Sequence, residues 1–87
     1  MDEILMEKIK QKSHETISNK EEIQQLIQYL SNIDDSKSFA LGIIIGRLYN
    51  AFYYQTKRIL NREPTEFEFA EFLEFVKSKK SQLEELW

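Results

Sequence analysis

His14 is the single imidazole in the chain, and no cysteine accompanies it. A general base or a metal ligand needs partners, and the neighbours of His14 in sequence supply only Ser13, Glu15 and Ser18. Zinc centres and Glu-x-x-His di-iron sites need more histidine than this. The missing thiols remove disulfides, thiolate metal sites and cysteine catalysis. Glu68, Glu71 and Glu74 recur every third residue and could gather a hard cation. A solvated acidic helix face is the simpler expectation. No glycine-rich phosphate loop and no nucleophile elbow occurs. The sequence therefore predicts no enzyme, no cofactor and no metal site, with His14 an exposed helix residue.

Charge points to a different chemistry. Residues 1–36 carry four basic and eight acidic side chains, residues 37–62 five basic and none acidic, and residues 63–87 three basic and seven acidic. The acid-free middle offers Arg47, Lys57, Arg58 and Arg62 together with Asn50 and Tyr54. These six form a candidate partner-binding face. It suits a phosphate backbone, with tyrosine as a stacking platform, or an acidic protein. The net charge of −3 disfavours nucleic acid, because long-range repulsion acts against a local patch. The bland alternative is that the acidic flanks neutralise the basic segment in weak surface pairs.

The same middle segment begins as an apolar run. On a helical wheel Leu41, Ile44, Ile45, Leu48, Phe52 and Ile59 form one stripe, with Gly42, Tyr49, Tyr53 and Leu60 at its shoulder. Phe39 and Ile43 fall on the other side, so the first turns are apolar all round, and such a helix must be enclosed. Gly42 and Gly46 are the only glycines in the chain. Each costs roughly 1 kcal/mol against Ala inside a helix, and their spacing lets another helix backbone come close. Phe39, Gly42, Ile43 and Gly46 thus mark either a tight crossing within the chain or the seam of a homodimer.

The elements that position these residues are helices. Two Gly and one Pro in 87 residues leave little material for the turns of a sheet. A first helix is expected over 3–17, with a thin stripe of Leu5, Met6, Ile9, Ser13, Thr16 and Ile17, the least secure of the set. Ser18 and Glu21 read as a capping box. The next helix carries Ile23, Leu26, Ile27, Leu30 and Ile33, the cleanest amphipathic pattern in the chain. Asp35, Ser36 or Ser38 caps the third helix, which runs to about Asn61 before Pro64. Thr65 and Glu68 form a second capping box. The fourth helix places Phe69, Phe72, Leu73 and Val76 on one face, continued by Leu83 and Trp87, with Phe67 and Phe75 toward its acidic side. The expected fold is all-α, a small bundle of about four antiparallel helices around a long central third helix.

The run "NREPTEFEFAEFL", residues 61–73, resembles the start of the first helix in the helix-turn-helix of bacterial sigma factors, through Arg62, Glu63, Pro64, Thr65, Glu68, Ala70 and Leu73. No glycine turn and no basic recognition helix follow, so the resemblance implies a shared way of starting a helix.

The amino terminus is no secretory signal, and the longest apolar run stops at Arg47, far short of the ~20 residues a membrane span needs. A cytoplasmic protein without membrane contact is expected. The leading functional expectation is a non-catalytic interaction module that self-associates as a homodimer. The alternatives are a nucleic-acid or anionic-partner binder and a small apolar pocket lined by Tyr49, Tyr53 and Phe72.

Overall fold

The computed structural model describes residues 1–30 and 32–85. Four helices follow one another: α1 (Glu3–Ser18), α2 (Lys20–Leu30), α3 (Ser36–Leu60) and α4 (Glu66–Glu84). No strand occurs among the described residues. The fold is a small all-α bundle, as the composition implies. The 25 residues of α3 rise about 37 Å at 1.5 Å each, close to the 41 Å long dimension of the molecule. The other three helices all pack on α3, and α1 does so most extensively.

Local chemistry sets the helix ends. The Asp2 carboxylate accepts from the Leu5 backbone N–H at 2.9 Å and opens α1. Asp35 opens α3, accepting from the Ser38 N–H at 3.0 Å and the Ser38 hydroxyl at 2.8 Å. Those bonds hold its carboxyl below the ordinary range. The Thr65–Glu68 capping box forms in both directions: the Glu68 N–H donates to Thr65 Oγ1 and the Thr65 N–H to Glu68 Oε1. Asn61 ends α3 in the left-handed conformation with φ 57°, which asparagine tolerates better than most residues.

The box expected at Ser18 does not form. Ser18 is the last residue of α1, and an N-cap needs non-helical backbone angles. Asn19 alone separates α1 from α2, and Ile33 lies beyond the end of α2.

The core gathers Leu5 and Ile9 from α1, Ile23 from α2, Ala40, Ile44, Leu48 and Phe52 from α3, and Phe72, Phe75 and Leu83 from α4. Phe52 and Phe72 stack at its centre, rings 4.6 Å apart and within 6° of parallel. The buried line of α3 is turned from the predicted stripe toward Ala40, Ala51 and Thr56, leaving Leu41, Ile45 and Ile59 only half-buried. The reason is α1. Its contacts with α3 are the most extensive in the bundle and its own buried line includes Ser13 and Thr16; a wheel that weighs hydrophobicity alone misses buried small residues of this kind. The hydroxyls cost little there. Thr16 donates to the Lys12 carbonyl at 2.8 Å and Thr56 to the Phe52 carbonyl at 2.6 Å, each within its own helix.

Two further expectations are corrected. Phe75 is core rather than turned to the acidic side, whereas Leu73 and Phe69 are exposed. The α2 stripe is mostly open: Ile23 is buried, but Leu26 and Leu30 are 47% and 51% exposed. Trp87 lies outside the described residues.

Along α4, the α-amino group of Met1 meets both Glu71 oxygens at 2.7 Å, and Ser13, His14 and Ile17 share a shallow hollow with Lys79 and Gln82. The later part of α3 meets the early part of α4 through Tyr49 with Phe69 and Phe52 with Phe72.

Candidate functional site

Among the described residues helix α3 presents a largely open outer face, bordered by α4, whose Phe69 and Phe72 pack against Tyr49. Phe39, Gly42, Gly46, Tyr49, Asn50, Tyr53 and Lys57 are all exposed along it, and Ile43 is half-buried at its margin. A Cβ built on Gly42 or on Gly46 meets no atom within 4 Å. Among the described residues the glycines therefore mark no tight crossing. Their missing side chains leave a shallow notch on the surface, flanked by Phe39 on one side and by Tyr49 and Tyr53 on the other. The two tyrosine rings lie 5.1 Å apart. Tyr49 raises the Tyr53 phenol above its ordinary range. Both tyrosine positions follow the glycines by the same seven residues, two turns of helix, which keeps all four on one side.

The basic residues are distributed over this face and its edge. Asn50, Tyr54, Lys57 and Arg58 are exposed and Arg47 is half-buried. Arg62 stands apart from them. Its guanidinium grips Glu68 with two bonds of 2.7 and 3.1 Å and donates a third, 3.0 Å, to the Glu63 carbonyl. That fork pulls the Glu68 carboxyl down to about 2, helped by the Thr65 N–H. Arg62 thus anchors the α3–α4 corner. In its place α1 contributes Lys8 and Lys12, which lie with Asn50 and Tyr54 around a cleft of about 280 Å³. Gln55 also lines it, and the Gln55 Oε1 is buried without a hydrogen-bond partner. The two lysines escape a reading of one helix at a time. Their signal is that both follow the buried Leu5 and Ile9 by three residues, and so border the α1–α3 seam.

The remaining candidates separate. His14 is exposed beside Lys10 and Lys79. Glu68 is held by Arg62, Glu71 by the Met1 amine, and Glu74 faces solvent. Among the described residues no three His, Cys, Asp or Glu converge as a metal would require. Tyr49 and Phe72 pack edge-on at 6.1 Å, so the aromatic cluster fills its own space. The apolar hollow between α3 and α4 lies further along, at Leu41, Ile45, Leu73 and Val76. No helix among the described residues is long and apolar enough to cross a membrane.

No family model, curated protein or solved structure matches the chain.

Proposed function

We propose that this protein is a non-catalytic helical interaction module that works as a homodimer, paired through the outer face of α3. The observation that carries the reading is the open glycine notch and its spacing. Gly42 and Gly46 are four apart, and so are Tyr49 and Tyr53. Turning a second α3 end for end about a point between Arg47 and Leu48 sets Gly42 opposite Tyr53 and Gly46 opposite Tyr49, twice over by symmetry. Each ring then fills a notch in the partner, which is how a two-fold interface must be built: one patch complementary to itself. That point is also close to the middle of α3 (Ser36–Leu60), so the overlap of the two helices is nearly complete.

Charge favours the same arrangement. Asp34 and Asp35 are exposed at the start of α3, and Lys57 and Arg58 at its end. End-for-end pairing brings the acids of one copy within about a turn of the bases of the other, and it opposes the helix dipoles.

Sedimentation equilibrium over a concentration series tests the reading. The expected result is a dimer, with Gly46→Leu shifting the mass to that of one chain while helicity by circular dichroism persists. A wild-type mass of one chain at every concentration would overturn it.

A second reading rests on the exposed cations. Lys57, Arg58 and Arg47 form no ion pair among the described residues, and Lys8 and Lys12 lie across the α1 seam, Lys12 in a weak 3.8 Å pair with Glu15. An acidic partner would bind there with strong salt dependence. Binding that survives Arg58→Glu with Lys8→Glu excludes this face.

A further inference from the structure

We infer that the pairing of two copies has a second layer, in which α4 of one copy lies end for end along α4 of the other. The inference rests on the proposed pairing through α3 and extends it to a helix which that pairing does not use. Glu66, Phe69, Leu73, Lys77 and Lys80 recur along α4 at intervals of three and four and are all exposed, so they share one side of the helix. Phe69 is 36% and Leu73 50% exposed. This stripe continues the face of α3 that carries the glycine notch, because Tyr49 beside the notch packs edge-on against Phe69 at 6.1 Å.

The symmetry that pairs α3 also acts on α4. Tyr49 packs on Phe69 and Phe72, while Leu41 and Ile45 share a hollow with Leu73 and Val76. The point between Arg47 and Leu48 is therefore level with about Leu73. A two-fold axis that turns α3 end for end is perpendicular to it and keeps both copies of α4 on the same flank, turned end for end as well. Glu66 precedes Leu73 by the seven residues by which Lys80 follows it, and Phe69 and Lys77 stand four residues to either side. Leu73 then meets Leu73 of the partner subunit, each Phe69 ring lies beside the partner's Lys77, and each Glu66 faces the partner's Lys80. The patch is complementary to itself, as a two-fold interface requires, and it sets an ammonium against an aromatic ring. Charge selects this direction. From Glu66 to Lys80 every acid precedes Phe75 and every base follows Val76, so end-for-end pairing opposes unlike charges and side-by-side pairing opposes like ones. The Lys80 tie to Glu84, 3.7 Å and partly exposed, is a weak competitor.

The test exchanges charges on the whole chain. Glu66 and Lys80 are fourteen residues apart, about 21 Å along one helix at 1.5 Å per residue, so they do not touch within a copy. Glu66→Lys alone and Lys80→Glu alone each set like charges against each other twice. Each variant should dimerise about tenfold more weakly than wild type in low-salt sedimentation equilibrium, the combined effect of two modest surface pairs. Mixed in equal amounts, the two variants should form a heterodimer as tight as the wild-type pair, because both contacts then join opposite charges. The chain has no cysteine, so Leu73→Cys should give a disulfide-linked dimer under mild oxidation, while Glu74→Cys, at the same level on another side of α4, should not. A dimer that Gly46→Leu dissociates, but that neither charge variant weakens and Leu73→Cys does not link, would keep the α3 pairing and overturn the α4 layer. A mixture no tighter than either variant alone would overturn the layer too. A wild-type mass of one chain at every concentration would overturn both.

Discussion

Helices α1 and α2 are joined by one residue, Asn19, yet they are held in different ways. α1 buries Leu5, Ile9, Ser13 and Thr16 in a continuous line along α3. α2 buries Ile23 alone and leaves Leu26, Leu30 and the 89% exposed Tyr29 in water. The better amphipathic pattern belongs to α2, so apolar content does not decide the outcome. What decides it is the opposing surface. α1 has 16 residues and makes the most extensive helix contact in the bundle, with Ala51 of α3 on the facing side. α2 has 11 residues and lies near the first turn of α3, around Ser36 and Lys37. A stripe is buried only as far as a complementary surface accompanies it.

The comparison is most exposed to failure at Leu5, which is fully buried. Leu5→Ala should cost about 2–5 kcal/mol, a large share of what a domain this small can hold. Leu26→Ala should cost well under half as much, because much of that side chain is already solvated. Urea unfolding of the two variants measures both. Equal losses would mean that α2 is packed as tightly as α1, and the contrast would disappear.

Helix starts sharpen the contrast. α4 begins with a reciprocal capping box whose glutamate is also gripped by Arg62, whereas Ser18, the cap expected for α2, is still part of α1. Glu68→Gln should therefore cost about 1–3 kcal/mol at pH 7, the range for a buried charged hydrogen bond that loses its charge. The pH dependence has a definite sign. Glu68 titrates near 2 in the folded chain against an ordinary 4.5, so the unfolded chain takes up its proton first on acidification. The stabilisation is complete above about pH 4.5 and is lost as pH falls toward 2. Melting temperatures of wild type and Glu68→Gln should converge over that interval. A gap that stays constant from pH 7 to 2 would remove the Arg62–Glu68 grip as its source.

Much of this architecture is legible in the residues. Pro64 with the Thr65–Glu68 box fixes the α3–α4 corner, Asp35 and Asn61 bound the long helix, and the scarcity of glycine and proline disfavours a sheet. Two things were hidden. The buried lines of α1 and α3 include Ser13, Thr16, Ala40, Ala51 and Thr56, small residues that carry little hydrophobic signal. The environment of each charge was also hidden, because it depends on tertiary neighbours. Arg62 belongs to the basic segment in sequence but to Glu68 in space, while Lys8 and Lys12 belong to an acidic segment and lie beside Tyr54. For the glycines, the spacing of Gly42 and Gly46 announced a surface for another helix without saying which one. The open space above them removes the candidates among the described residues.

That open space gives the next test an unusual sign. Replacing Gly42 and Gly46 by Ala adds two methyl groups that meet nothing within 4 Å, and Ala is favoured over Gly in a helix interior by up to about 1 kcal/mol. The dilute double variant should melt higher than wild type. In a pair whose tyrosine rings occupy the notches, the same methyl groups would collide, and the dimer should weaken. Stability up and association down, read by thermal melts at low concentration and sedimentation at high, separates a surface kept for a partner from one kept for the fold. A fall in both would place the glycines in a packing role within the chain.

The smallest effect is expected in α2, and it bears most directly on the opening contrast. Leu26→Lys with Leu30→Lys places two charges on the stripe of a helix whose only buried residue is Ile23. If the stripe faces water, exposed substitutions of this kind change stability by about 0.5 kcal/mol or less each, and lysine is a good helix former. Dilute melts should be nearly unchanged. An apolar stripe that can be charged without loss to the monomer is doing nothing for the fold of that monomer. Its retention would then point outward, as the glycine notch does, and the same variant should alter the concentration dependence of the mass. A large drop in dilute melting temperature would show instead that α2 closes over α3 in solution, and the two helices would be held by the same means.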